Sequence, residues 1–176
     1  MKCPCCNTEN LKATKLEAGL SAMGCPQCQG ALVSLLYYRD WTERDEPVAT
    51  TEDVSAEAVN DSHAALSCPK CGKLMTKYRI DGCQNNRLDL CASCDEAWLD
   101  GGEWELLKSL ELSHLMPKVF TEQWQRKLRE QALELSREER LANKIDPADL
   151  ERAKQMREWL KDHPNKTDII FYLNYT

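Results

Sequence analysis

Apolar and polar positions alternate with a period of two over residues 75–80, break at Asp81-Gly82, and alternate again over residues 87–90. That pattern predicts a β-hairpin with a tight turn. From Asp100 the period becomes helical. Asp100-Gly101-Gly102-Glu103 has capping-box spacing, with Asp100 as N-cap and Glu103 reaching back to its amide. Trp104, Leu107 and Leu110 then line one face until Pro117. A longer helix is expected over 121–145, with Trp124, Leu128, Ala132, Leu135, Ala142 and Ile145 as its apolar stripe. Asp146-Pro147 restarts the chain, a capping Asp followed by Pro at the first helical position. The helix that follows turns Leu150, Ala153, Met156, Trp159 and Leu160 inward and ends before Pro164. Residues 167–175 are too few for periodicity to choose between helix and strand.

Between these regions and the N-terminal part lies an acidic stretch, residues 42–66. It holds Glu43, Asp45, Glu46, Glu52, Asp53, Glu57 and Asp61 against Arg44 alone, and no aromatic residue. Such a segment buries too little to offset its ordering entropy, so a flexible linker is expected, with a brief helical turn over 55–59.

Ten cysteines change the picture most. Cys3 and Cys6 recur at Cys68 and Cys71, 65 positions on, and Cys25 and Cys28 recur at Cys91 and Cys94, 66 positions on. Ala31-Leu32-Val33 stands where Ala97-Trp98-Leu99 stands in the second copy. Each copy reads C-x2-C, a gap of 18 or 19 residues, and C-x2-C, the spacing of a four-cysteine zinc site. Two thiolates separated by two residues sit on one tight turn, and a hairpin between the pairs brings the second turn opposite the first. Four sulfurs then surround Zn²⁺ at about 2.3 Å in a closed tetrahedron. The candidate ligands are Cys3, Cys6, Cys25 and Cys28 for one ion and Cys68, Cys71, Cys91 and Cys94 for the other. The alternatives are buried cysteines without metal, a rubredoxin-like iron site with the same ligands, and thiol redox chemistry. The last needs an open thiolate, usually beside a βαβ pattern, and no such pattern occurs. Cys5 and Cys83 are left over as spare thiols.

The expected organisation is therefore a first zinc ribbon at 1–41, a linker at 42–66, a second ribbon with its capped helix at 67–116, and a helical C-terminal module at 117–176. The fold class is small α+β.

The motifs resemble a known family. Cys68-Pro69-Lys70-Cys71-Gly72, Cys91-Ala92-Ser93-Cys94 and Ala97-Trp98-Leu99-Asp100-Gly101-Gly102-Glu103 are similar to the bacterial zf-TFIIB-type zinc ribbon family, with its C-P-x-C-G knuckle, C-x-x-C knuckle and W-L-D-x-G-E segment. The first copy is degenerate. It keeps Cys3-Pro4-Cys5-Cys6 and Cys25-Pro26-Gln27-Cys28 but has Leu32-Val33-Ser34 in place of the Trp-Leu-Asp run. Glu96 stands where that family usually has Gly, and Asn7 replaces the Gly after the second ligand, a position Asn tolerates in the left-handed conformation. The resemblance covers residues 1–38 and 67–107, under half the chain, and implies a zinc-binding fold. Trp98 is expected to cover the apolar side of the knuckle, with a docking aromatic as the alternative.

Composition excludes some classes. Of 176 residues, 42% are hydrophobic and 30% charged, which fits neither a membrane protein nor a fully disordered chain. The longest unbroken apolar run, Ile169-Ile170-Phe171-Tyr172-Leu173, falls far short of the roughly 20 residues that cross a bilayer. No apolar signal-peptide core follows Met1-Lys2-Cys3-Pro4, so the expectation is cytoplasmic, where cysteine-rich chains more often hold metal than disulfides. Aromatic content of 7% is thin for a large core, which leaves part of the folding to metal. The formal charge of −6 would fall to about −10 with eight thiolates around two Zn²⁺, a sign that disfavours general phosphate-backbone binding.

A closed four-thiolate site has no open position for water or substrate, so no enzyme is expected. His63, His114 and His163 fall in no catalytic pattern. Nucleic-acid binding is the alternative function. Lys70, Lys73, Lys77, Arg79 and Arg87 lie along the second hairpin with Tyr78 among them, opposed by Asp81, Asp89 and the acidic linker. Residues 118–162 hold eleven Lys or Arg and ten Asp or Glu, a balanced outer face over a buried inner one. A helical hairpin or small dimer suits it better than a long coiled coil. The expectation is a monomer or small homo-oligomer, away from membranes. The expected role is a non-catalytic adaptor that engages a protein partner through the helical tail.

Overall fold

The computed structural model describes residues 1–7, 10–44, 64–82 and 85–175. Residues 45–63, with the turn expected over 55–59, and Cys83 lie outside the described residues. The chain is a small α+β protein with an antiparallel sheet and helices, divided into compact units Met1–Arg129 and Glu130–Thr176.

In the first unit each cysteine repeat folds as a hairpin, a third strand and a helix. The first gives β1 (Lys12–Glu17), β2 (Leu20–Gly24), β3 (Ala31–Ser34) and α1 (Leu35–Arg44). The second gives β4 (Thr76–Arg79), β5 (Arg87–Cys91), β6 (Glu96–Leu99) and α2 (Glu103–Ser109). The first hairpin closes through Ala18-Gly19, where Gly19 takes φ 81°, a conformation that suits glycine. β3 and β6 pair antiparallel with Leu32 opposite Trp98, Ala31 opposite Leu99 and Val33 opposite Ala97. Because Leu32 and Trp98 are equivalent in the repeat, this register relates the two copies by a local twofold through that pair. The sheet order is β1-β2-β3-β6-β5-β4, so the repeats, expected as separate ribbons, share one sheet. The seam strands are buried almost throughout. Apolar residues without alternation are what strands covered on both faces require.

The principal core joins Leu20, Val33, Leu35, Tyr38, Trp41, Leu88, Leu99, Trp104, Leu107, Met116 and Val119. Leu35, Tyr38 and Trp41 form the buried face of α1, which takes in residues 42–44 that the sequence had assigned to the linker. The Tyr38 hydroxyl donates to the Ser113 carbonyl at 2.7 Å and accepts from the Met116 amide at 3.2 Å. Trp41 donates to the Ala18 carbonyl at 3.1 Å and meets Trp104 edge-on at 5.8 Å.

Helix boundaries differ from expectation at several points. α2 stops at Ser109 instead of running to Pro117, with Glu111 at φ 57° in the turn beyond it. Pro117 instead sits in the first turn of α3 (Met116–Val119), where its missing amide costs nothing. Asp100 is not the N-cap of α2; Gly102 is, at φ 89°. The Asp100 carboxylate accepts from the Trp98 indole at 2.8 Å instead. Glu103 does reach back to the Asp100 amide, at 2.8 Å, and its other oxygen takes the Arg87 amide at 3.2 Å.

The two sheet edges are guarded in different ways. At β4, the Gln125 side chain of α4 (Glu122–Ala142) accepts from the Arg79 amide at 3.1 Å and donates to the Arg79 carbonyl at 2.8 Å, standing in for a neighbouring strand. At β1, Lys12 and Lys15 are exposed and the register shifts between Lys15 and Glu17; edge lysines and bulges both discourage further pairing.

The second unit contains the end of α4, then α5 (Pro147–Lys161) and α6 (Lys166–Leu173). Asp146 caps α5 as expected, accepting from the Ala148 amide at 2.9 Å. Residues 166–173 settle as helix. Arg157 pairs with Glu134 and Glu138, and Lys154 with Glu138, so ion pairs tie α5 to α4. The expected inward stripe of α5 is not buried. Leu150 and Leu160 are partly exposed, Ala153, Met156 and Trp159 are exposed, and neither α5 nor α6 has a buried residue. Amphipathic spacing predicted a covered face, and no element of this unit supplies the cover.

Candidate metal centres

Each of the eight cysteines lies on one of four knuckles with the same backbone. The residue after the second cysteine of each pair is left-handed: Asn7 at φ 57°, Gln29 at 61°, Gly72 at 76° and Asp95 at 56°. Its amide donates to the carbonyl of the first cysteine, over 2.9 Å at Asn7, 3.0 Å at Gln29, 2.8 Å at Gly72 and 2.9 Å at Asp95. The turn also aims amides at sulfur, as where the Cys6 amide donates to the Cys3 thiol at 3.3 Å. Asn and Asp tolerate the left-handed region and Gly is at home there. Gln29 has neither advantage.

The knuckles meet in pairs. The sulfurs of Cys3, Cys6, Cys25 and Cys28 all lie within 4.8 Å of one another, as do those of Cys68, Cys71, Cys91 and Cys94. Cys3 and Cys28 approach to 3.6 Å, as do Cys71 and Cys91. A tetrahedron with metal–sulfur bonds of about 2.3 Å has edges of about 3.8 Å, so both quartets have the size of a four-thiolate metal site. Cys3, Cys25, Cys68 and Cys91 are buried, while the second cysteine of each pair reaches outward. The nine described cysteines are all free thiols, and Cys5 is exposed and outside the quartets.

The thiols do not ionise alike. Burial pushes Cys3 and Cys6 up to about 11 and Cys28 up to about 12. Burial also acts upward on Cys25, but the Cys28 and Gln27 amides outweigh it and bring that thiol down to about 7. In the second quartet the Lys73 amide lowers Cys71 to about 7. Hydrogen bonding with Cys71, then burial, raises Cys94 to about 12, and burial raises Cys68. In each quartet one thiol is thus eased toward the thiolate while others are held up. Gathering four in one pocket calls for a cation between them, and soft thiolates favour a thiophilic metal. The donor set, spacing and burial fit two metal ions.

Trp98 is fully buried in one cluster with Cys3 and Cys25 of the first quartet, Cys68 and Cys91 of the second, and Leu11, Leu32, Leu66 and Met75. A docking role for this ring is therefore closed off. Gly30 makes room for it: a Cβ there would lie 2.4 Å from the indole. At Gly101 a Cβ would lie 2.5 Å from the Cys28 carbonyl oxygen. The Trp-Leu-Asp-Gly run of the second repeat therefore packs on the first repeat's knuckle. The expected cover of a knuckle by Trp98 is thus seen, but its reach onto the other repeat was not read from the sequence; the signal was Gly30 standing two residues before the position equivalent to Trp98.

Three of the five hairpin cations have internal partners. Lys77 pairs with fully buried Asp89 at 2.8 Å, Lys70 with buried Glu96 at 2.8 Å, and Lys73 reaches the Ser93 hydroxyl at 3.0 Å. Tyr78 packs edge-on to Phe120 at 5.3 Å. His114 stacks on Trp41 and His163 packs against Trp159, and His63 lies outside the described residues. Among the described residues no helix is long and apolar enough to cross a membrane. Compared with known proteins, the chain matches no family model, no curated protein and no solved structure.

Proposed function

We propose that the chain is a cytoplasmic double zinc-ribbon protein of the zf-TFIIB type, a non-catalytic adaptor that binds a protein partner through its second unit. Zinc suits closed sites of four cysteines that hold structure and leave no position for substrate. The observation that carries the adaptor reading is the exposed apolar surface beyond residue 130. Trp159 is 56% exposed, Phe171 67% and Tyr172 79%, in helices with no buried residue, and Tyr175 just beyond α6 is 78% exposed. Aromatic residues are the side chains most enriched at the energetic centre of protein interfaces. The balanced charge around them offers phosphate no basic face. The rival reading, nucleic acid on the second hairpin, is weakened because Lys70 and Lys77 already serve buried acids.

The test compares the full chain with a Phe171→Glu, Tyr172→Glu variant, each checked for two zinc ions. A protein that co-purifies with the native chain and falls at least tenfold with the variant supports the adaptor. Nucleic-acid binding at about 0.15 M salt that survives the tail variant and is lost in a Lys73→Glu, Arg79→Glu variant overturns it.

A further inference from the structure

The two quartets are built into each other. β3 and β6 each leave a knuckle of their own quartet, and they register on one another at Leu32 and Trp98. One buried cluster holds sulfurs from both quartets with those two side chains among them. The bracing is reciprocal. The amide of Leu35, where the first repeat enters α1, donates at 2.9 Å to the carbonyl of Asp95, the left-handed residue of the second quartet's last knuckle. In the other direction, Gly101 lies against the Cys28 carbonyl and Trp98 fills the space over Gly30, beside the first quartet's last knuckle.

We infer that the two centres take up metal as a coupled pair, with Trp98 as the residue that couples them. This rests on the reading of both quartets as zinc sites. Metal binding to a small cysteine module is also folding energy, because the ligands must be ordered to be met. An ion in the first quartet orders the knuckle that launches β3, and β3 supplies the partner on which β6 and Trp98 settle. The second ion then meets a seam already in place and loses less conformational entropy, which is positive cooperativity without any direct contact between the ions. Coupling of the ordinary size would raise the second affinity about 5- to 150-fold. Trp98 carries this effect because its ring is fully buried in the cluster that holds sulfurs of both quartets and fills the space over Gly30; Leu32, its equivalent, is much smaller.

The experiment adds Zn²⁺ alone, one equivalent per full chain, and counts ions per molecule by native mass spectrometry. Coupling within the stated range leaves the one-zinc form below about a third of the chains, against half for equal independent sites. Trp98→Ala should raise the one-zinc form to half or more while excess zinc still brings the chain to two. If Trp98→Ala does not fold, Trp98→Leu, which copies the first repeat, makes the same comparison. Identical distributions in the native chain and a folded Trp98 variant overturn the coupling. Failure of the native chain to take up zinc at all overturns the zinc reading itself, and the coupling with it.

Discussion

The two cysteine repeats reach the same knuckle geometry over different foundations. In both, a left-handed residue after each pair closes a turn with the same hydrogen bond. Beneath the knuckles they diverge. Where the first hairpin sets Ala13 opposite Met23, the second sets Lys77 opposite Asp89, an ion pair whose carboxylate is fully buried. Where the first seam strand offers Leu32, the second offers Trp98 hydrogen-bonded to Asp100. Ligand geometry is thus set by a few residues of local backbone, while the layer below follows from what each half packs against. An apolar pair and an ion pair can hold up the same kind of site.

The largest effect should come from removing a ligand on either side of the comparison. Cys91→Ser and Cys25→Ser should each lose at least one zinc per chain. Each should also erase most near-ultraviolet signal from Trp41, Trp98 and Trp104, because the core and the quartets share one sheet. Elemental analysis with circular dichroism checks this; an intact aromatic signal after either change would mean the halves fold separately.

Next in size is the ion pair. Lys77→Ala leaves Asp89 buried without that cation and should cost about 3–5 kcal/mol in denaturant unfolding with zinc present. Adding Asp89→Met rebuilds the first repeat's solution and should recover most of the loss, since well-packed apolar residues often replace a buried pair at no cost. A double variant no better than the single would show that the second half needs its charges.

The smallest effect separates the knuckles themselves. Gln29→Gly relieves a left-handed non-glycine residue and should stabilise by about 1 kcal/mol. Gly72→Ala meets open space around its Cβ but the same backbone, and should cost about 1 kcal/mol. Unfolding midpoints decide both.

The quartets were legible because metal ligation fixes residue type and spacing together. The Asp146 cap was legible because capping needs only its own turn. The seam was not, since three apolar residues per strand carry no alternation to read. α1 was hidden because its last turn blends into the acidic stretch that follows. Asp100 misled because two acceptor roles competed for one carboxylate, and the indole two residues away took it from the helix end. The α5 stripe misled for a different reason: amphipathic spacing says that a face is apolar, not what covers it.

The most direct measurement is X-ray absorption on the full chain purified without a metal-binding tag, with metal content from the same sample. The account predicts two zinc ions per chain, each with four sulfur neighbours at about 2.3 Å and no lighter atom in the shell. One ion per chain, a nitrogen or oxygen neighbour, or iron in place of zinc would contradict it.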